Sequence, residues 1–330
     1  MSATTDPDRR AHLAAAKLQG LLSSNFPDLP YPSGTVPLGS GAAVVCDDRA
    51  FVLIEDRPDR GLGAGLAWAG RHGARRLDLL VATSSGTLAR RAAEFDLDIH
   101  VWAIDGRNVV PAAPAPLSPE LLAVDDHLAF TPVIEEAGAD VVVEHGVVGG
   151  EVRGLEVCRA VTDPHTGAHR LEVGVGAHDR EAFALIHGDT PTVDSLRRIV
   201  EVVRRHRAPG ADPHPLNRLA AERALRSRVL DDPALIGLGS MVAASPAEPR
   251  PNVKDPVPCV AVGRDADGRR TVVVFSTGID LDLVPFAADA RLFAGGESDP
   301  LLLVVPERDA SPVTMRIAAL LRRPASVRGL

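Results

Sequence analysis

Aromatic residues are scarce in this sequence: one Tyr, two Trp and eight Phe amount to 3% of 330 residues. A core with so few rings must be aliphatic, built from the Val, Leu, Ile and Ala that dominate a 45% hydrophobic content. Lysine is nearly missing as well. Of 36 basic residues only Lys17 and Lys254 are lysine, so arginine carries the positive charge, as a GC-rich coding sequence gives. The three cysteines, Cys46, Cys158 and Cys259, lie far apart inside apolar runs, with no pair at metal-ligand spacing. That spacing excludes a cysteine-based zinc site and fits reduced, buried thiols in a cytosolic protein. No apolar run reaches the roughly 18 residues that span a bilayer, and the segment MSATTDPDRR is polar and acidic rather than signal-like. The expectation is a cytoplasmic chain without a membrane partner. A Walker A loop, a GxSxG elbow and an HExxH motif are all lacking, and Gly61-Leu62-Gly63-Ala64-Gly65 falls in a turn and helix start without a downstream acidic partner. No nucleotide or redox cofactor is therefore expected. A formal charge of -8 argues against non-specific coating of nucleic acid and leaves room only for a local basic face.

What is present is an alternation of strands and helices. Residues 9 to 24 read as a helix ended by the Pro-rich stretch 23 to 37. Two short runs, 42 to 46 and 51 to 54, flank the turn Asp47-Asp48-Arg49 as a hairpin. A helix over 62 to 72, a strand over 77 to 81, a helix over 86 to 95 and a strand over 99 to 104 then imply parallel neighbours covered by helices. The segment PAAPAPLSP at 111 to 119 reads as a stiff linker. Domain boundaries follow as 1–110, linker 111–119 and 120–330. In the second part a helix near 119 to 137 precedes three strands, 140 to 144, 154 to 161 and 171 to 175, and then helices over 194 to 206 and 217 to 230. A hairpin around Asp265-Ala266-Asp267-Gly268 follows, and a closing strand, helix and strand echo residues 77 to 104. The fold class expected is α/β.

The run Phe51-Val52-Leu53-Ile54-Glu55-Asp56-Arg57, a helix ending at His72-Gly73, and Leu79-Leu80-Val81-Ala82-Thr83-Ser84 together resemble the PD-(D/E)XK nucleases, in particular Mrr-like restriction endonucleases. The resemblance covers about 65 residues and implies two tandem three-layer α/β domains of restriction-endonuclease-like fold. It also implies a carboxylate pair that holds Mg²⁺ for phosphodiester cleavage. Glu55 matches the second acid and Arg57 the place normally held by lysine; Asp48 is the other acid within sequence reach. Catalytic Glu55, Arg57 and Asp48, with Asp48 and Glu55 as metal ligands, are thus the expectation. Gly41, Ala42 and Ala43 stand where the first acid belongs.

A second candidate site gathers Glu156 and Glu172 on adjacent strands with His178 and Asp179 just beyond; the basic member of the motif is missing there, since Glu172 is followed by Val173-Gly174. The arginines Arg197, Arg198, Arg204 and Arg205 are the candidates for facing nucleic acid. The leading expectation is a nucleic-acid-associated protein of nuclease-like fold, weak or inactive as a nuclease. The rivals are a non-catalytic scaffold for a protein partner, and a small-molecule enzyme using His178, Asp179 and Glu181.

Overall fold

Six strands, β1 (Val36–Leu38), β2 (Gly41–Cys46), β3 (Arg49–Ile54), β4 (Arg76–Val81), β5 (Asp98–Asp105) and β6 (Asn108–Pro111), form one sheet in chain order. They belong to a computed structural model that describes residues 7–29, 34–176, 179–181, 193–249, 257–296 and 298–330. β1, β2 and β3 pair antiparallel, β3, β4 and β5 parallel, and β6 antiparallel. The parallel steps are crossed by α2 (Leu62–Arg71) and α3 (Ser85–Ala92). Helix α1 (Pro7–Asn25) buries Ala14, Leu18, Leu21 and Leu22 against Phe51, Leu53 and Leu80 on one face of the sheet. Leu77 and Leu79 point the other way, within reach of Gly65 on α2, as the two-residue period of a strand demands.

Asp78 sits fully buried in the middle of β4. Its carboxylate accepts from Arg49 at 3.2 and 3.3 Å, from Arg76 at 3.0 Å twice, and from the Trp102 indole at 2.9 Å. A charge in that position persists because every lone pair is used.

The chain divides into two units, Met1–Leu117 with Asp280–Asp289 and Ser311–Ser326, and Ser118–Ile279 with Ala290–Ala310 and Val327–Leu330. The first division falls inside the Pro-rich stretch. That stretch is no free spacer: Ala115 donates to the Gly86 carbonyl at 2.9 Å, and Arg90 donates to the carbonyls of Ala115 and Pro116. Within unit 1 the segment 280–289 is fastened by charge. Asp289, fully buried, accepts Nε and Nη2 of Arg90 and Nε of Arg91 at 2.7 to 2.9 Å, and Asp280 pairs with Arg60. The Asp282 carboxylate accepts the Gly63 amide at 2.9 Å. Gly63 itself must be glycine, since a Cβ there would lie 1.9 Å from the Leu281 carbonyl oxygen.

Burial pushes the Asp282 carboxyl up to about 6, with Asp280 adding to the rise and the Gly63 amide, Arg60 and Arg91 opposing it. The folded chain therefore holds this proton more tightly than the unfolded chain does, and stability is lost as pH rises from about 4 to about 6. A rise of this size corresponds to roughly 3 kcal/mol at most. Asp282→Asn keeps an acceptor for Gly63 and removes the charge. In urea unfolding across a pH series it is expected to match the parent near pH 4 and to exceed it by about 1–3 kcal/mol above pH 7.

Unit 2 holds two sheets. One is antiparallel throughout, in the order β10–β9–β8–β7, made of β7 (Asp140–Glu144), β8 (Val147–Val152), β9 (Leu155–Thr162) and β10 (His169–Val173). It packs on α5 (Thr131–Glu136) and α6 (Val193–His206) through Ile134, Leu196, Val200 and Val203. The single helix expected near 119–137 is broken into α4 (Asp125–Leu128) and α5, because Pro132 begins a new helix and cannot continue one. Strand β8 was hidden by Gly149 and Gly150. A Cβ at Gly150 would meet Cys158 Sγ and Ile134 at 2.7 Å, so the glycine is what lets α5 lie on the strand. With four antiparallel strands, this sheet departs from the helix, three strands and helix expected of a second nuclease-like domain.

The other sheet, order β11–β12–β13–β14–β15, contains β11 (Ser240–Ala244), β12 (Cys259–Arg264), β13 (Arg270–Phe275), β14 (Leu301–Val305) and β15 (Ser326–Gly329). Its pairings run antiparallel, antiparallel, then parallel between β13 and β14. With α7 (Ala221–Asp231), α8 (Leu283–Phe293) and α9 (Pro312–Ala319), the element order from α7 to β15 repeats that from α1 to β5. The echo in the sequence is thus longer than the closing strand, helix and strand. Burial pushes the Cys158 and Cys259 thiols up to about 12, and all three cysteines are buried and unpaired.

Candidate functional site

Parallel β3 and β4 end in step, Ile54 beside Val81, so Glu55-Asp56-Arg57 and Ala82-Thr83-Ser84 leave the sheet side by side. This is the carboxyl edge of the parallel strands, where α/β sheets place ligands. Both exits pass through the left-handed region at a residue other than glycine, Arg57 at φ 46 and Ser84 at φ 58. Each such residue costs about 1–2 kcal/mol, a kind of strain that gathers at functional positions. Thr83 and Ser84 are exposed, and no side chain caps α3 at Ser84.

The carboxylates do not assemble there. Glu55 forms an ion pair with Lys17 of α1 at 2.7 Å, and the Asp56 amide donates to Ser40 Oγ at 3.0 Å. Asp48 lies at the other end of β3, in the hairpin turn, where Arg75 donates to it at 2.6 and 2.9 Å and holds its carboxyl below the ordinary value. The strand between them sets Asp48 and Glu55 about 20 Å apart at roughly 3.3 Å per residue. The expected Asp48–Glu55 metal pair is therefore corrected: an antiparallel hairpin puts its turn and its open end at opposite edges of the sheet. Gly41 occupies the open end, opposite the end of β3, and a Cβ on it would lie 1.8 Å from the Leu53 carbonyl oxygen. A first acid is excluded at Gly41 by backbone contact. Arg57 is exposed and precedes the short 3₁₀ turn Pro58–Arg60.

The second group does converge, on a guanidinium. Glu156 of β9 accepts Arg159 at 2.8 and 2.9 Å and Arg180 at 3.0 Å, while Arg180 Nε stands 3.4 Å from Glu172 of β10 and Arg170 donates to Glu172 at 3.1 Å. Arg180 fills the place between the two carboxylates. His178 lies outside the described residues; Asp179 and Glu181 are exposed. On α6, Arg197 pairs with Asp194 at 2.7 Å and with Glu136 at 3.6 Å, and Arg204 donates to the Gly138 carbonyl at 2.6 Å. Arg197 and Arg204 thus have partners, while Arg198 and Arg205, seven residues apart on α6, are exposed.

Sequence reading missed a buried four-membered ion group. Glu144 and Glu151, at either side of the β7–β8 turn, meet Arg223 and Arg226 of α7: Arg223 binds both carboxylates, and Arg226 reaches Glu144 at 2.5 Å and Glu151 at 3.4 Å. Burial pushes the Glu144 carboxyl up, but the two guanidiniums overcome this and hold it below its ordinary value. The signal was available as two arginines three apart on one helix face, beside two glutamates in otherwise apolar strands. Among the described residues, no group of three or more His, Cys, Asp or Glu is placed to hold a metal ion, and no helix is long and apolar enough to cross a membrane. No protein-family model, curated protein or solved structure matches the chain.

Proposed function

We propose that this chain is a non-catalytic binding protein, built on a sheet of restriction-endonuclease-like strand order, whose ligand is a protein surface rather than a phosphodiester. The reading is carried by the edge formed by Gly41 and Glu55. A metal-dependent phosphodiesterase needs two carboxylates there, yet Gly41 admits no side chain and Glu55 is engaged by Lys17. The formal charge of -8 argues against non-specific binding of a phosphate backbone, and two of the four α6 arginines, Arg197 and Arg204, already have partners. Large apolar side chains stand in water instead: Leu121 is 62% and Leu122 85% exposed, beside the β7–β8 turn at Gly146. Apolar surface of this kind is what a protein partner covers.

The test is incubation of labelled single- and double-stranded DNA and RNA with the parent chain and with Glu55→Ala, in Mg²⁺ or Mn²⁺. Both proteins are expected to leave every substrate intact and to bind none in a salt-sensitive way. Metal-dependent cutting that disappears in the variant overturns the reading, and salt-sensitive binding without cutting replaces the protein ligand by nucleic acid.

A further inference from the structure

We infer that unit 2 docks a basic amphipathic segment of another protein, one with Leu, Ile or Phe along one face and Lys or Arg beside it, on the surface formed by residues 120–128 and the β7–β8 turn; this rests on the protein-ligand reading above. Between Arg107 and Arg153 the sequence has neither Lys nor Arg. Eight of the 44 Asp and Glu lie in that stretch, so the 36 that remain equal the 36 Lys and Arg, and the whole formal charge of -8 belongs to it. Exposed apolar side chains gather in the same place. Among the described residues 13 large ones stand in water, and six of these, Leu121, Leu122, Val124, Leu128, Val143 and Val147, fall within the stretch.

The fold joins these groups into one surface. Ala123 packs onto the core around Val148 and Leu171, which leaves its neighbours Leu121, Leu122 and Val124 to solvent. The same segment crosses the β7–β8 turn so closely that a Cβ on Gly146 would lie 2.9 Å from the Leu122 carbonyl oxygen and 3.5 Å from Leu121 Cβ. Val143 and Val147 flank that turn, and α4, which carries Leu128, lies against β8 and β10. Glu120, Asp125 and Asp126 stand exposed among the apolar groups. Apolar surface interleaved with charge of one sign selects the opposite sign in its partner, because matched potentials speed encounter and suppress wrong partners. A second copy of the chain would set the same carboxylates against each other across a twofold axis. An anionic bilayer is repelled for the same reason. A basic amphipathic segment meets both demands, apolar area to cover and charge to neutralise.

The probe is a fluorescein-labelled amphipathic helix of about 18 residues, Leu on one face and Lys on the other, read by anisotropy against the full chain. It is expected to bind, and to weaken by about tenfold or more between about 50 and about 300 mM salt. A Leu and Glu helix of the same pattern should not bind, and a Lys and Ser helix should bind at least about tenfold more weakly. Leu121→Ser combined with Leu122→Ser should reduce affinity by about tenfold or more, and Glu120→Gln combined with Asp125→Asn should lower it and flatten its salt dependence. Leu13→Ser is the control, an exposed apolar side chain on α1, and its binding should equal the parent's. Every changed side chain is exposed, so circular dichroism melts should match the parent's. No binding of the Leu and Lys helix by the parent, or binding that survives the double serine change, overturns the assignment and leaves the protein-ligand reading intact. A parent dimer that the double serine change disperses puts a second copy on this surface and overturns it as well. The protein-ligand reading itself fails separately, on the nucleic-acid assays above.

Discussion

Replacing Arg226 by methionine is expected to lower the stability of unit 2 by about 3–5 kcal/mol, the range for removing one member of a buried ion group. Arg226 is fully buried, and two carboxylates, Glu144 and Glu151, depend on it and on Arg223. With Arg226 gone, one guanidinium faces two negative charges in a site that water does not reach. The unfavourable part of the change is less the lost attraction than the desolvated carboxylate left behind. The same logic predicts a change in the acid limb. In the parent, Glu144 is held below its ordinary value, so its contribution is present at neutral pH and disappears as pH falls through that lowered value. In the variant, burial wins, the carboxyl titrates above its ordinary value, and stability rises on acidification through that range. Urea midpoints for the parent and Arg226→Met at pH 7 and pH 5 check both statements; a difference under about 1 kcal/mol at pH 7 would place the group in a far wetter setting than its burial implies.

That ion group also marks the limit of what the residues disclosed. Elements whose apolar period ran unbroken were legible: α1, β2, β3, β4, β14 and α6 lie within a few residues of where periodicity places them. Elements carrying local contradictions were not. Strand β8 reads as a loop because of Gly149-Gly150, although the glycines are required by the approach of Ile134. Helix α8 holds Pro285 in its first turn, where the missing amide has no partner to lose, yet the residue looks like a break. Strands β1 and β6, three and four residues long at a sheet edge, carry too little pattern to register.

The candidate site divided in the same way. That Glu55 ends β3 beside the exit of β4 followed from chain order, because a crossover helix forces the two strands to run parallel. That Asp48 lies at the far edge also followed, once the hairpin register was known. What no local reading contained were the long-range partners: Lys17 on Glu55, and Arg180 between Glu156 and Glu172, join residues 38, 24 and eight positions apart. Side chains brought together by the fold were invisible wherever their spacing in the chain had no period.

Restoring the absent acid by Gly41→Asp is expected to destabilise unit 1 and to create no nuclease. The substitution supplies the carboxylate that a metal pair with Glu55 would need, so on sequence alone it is the obvious repair. Its first added atom would stand 1.8 Å from the carbonyl oxygen of Leu53, and the obstacle is backbone rather than a side chain able to rotate away. Relief requires β2 to move off β3 at its first residues, which breaks the pairing of Ala42 with Leu53 and disturbs a strand whose Ala42 and Leu53 are fully buried. Overpacking of this kind costs about 1–3 kcal/mol where side chains can yield and more where the main chain must. A loss above about 3 kcal/mol is therefore expected in urea unfolding, with no Mg²⁺- or Mn²⁺-dependent cutting of labelled DNA. Gly41→Ala separates the causes: it adds the Cβ without the charge, and should reproduce most of the loss. If Gly41→Asp instead folds as well as the parent and cuts DNA, the edge beside Glu55 is an intact nuclease site lacking one residue, and the binding-protein reading fails with it.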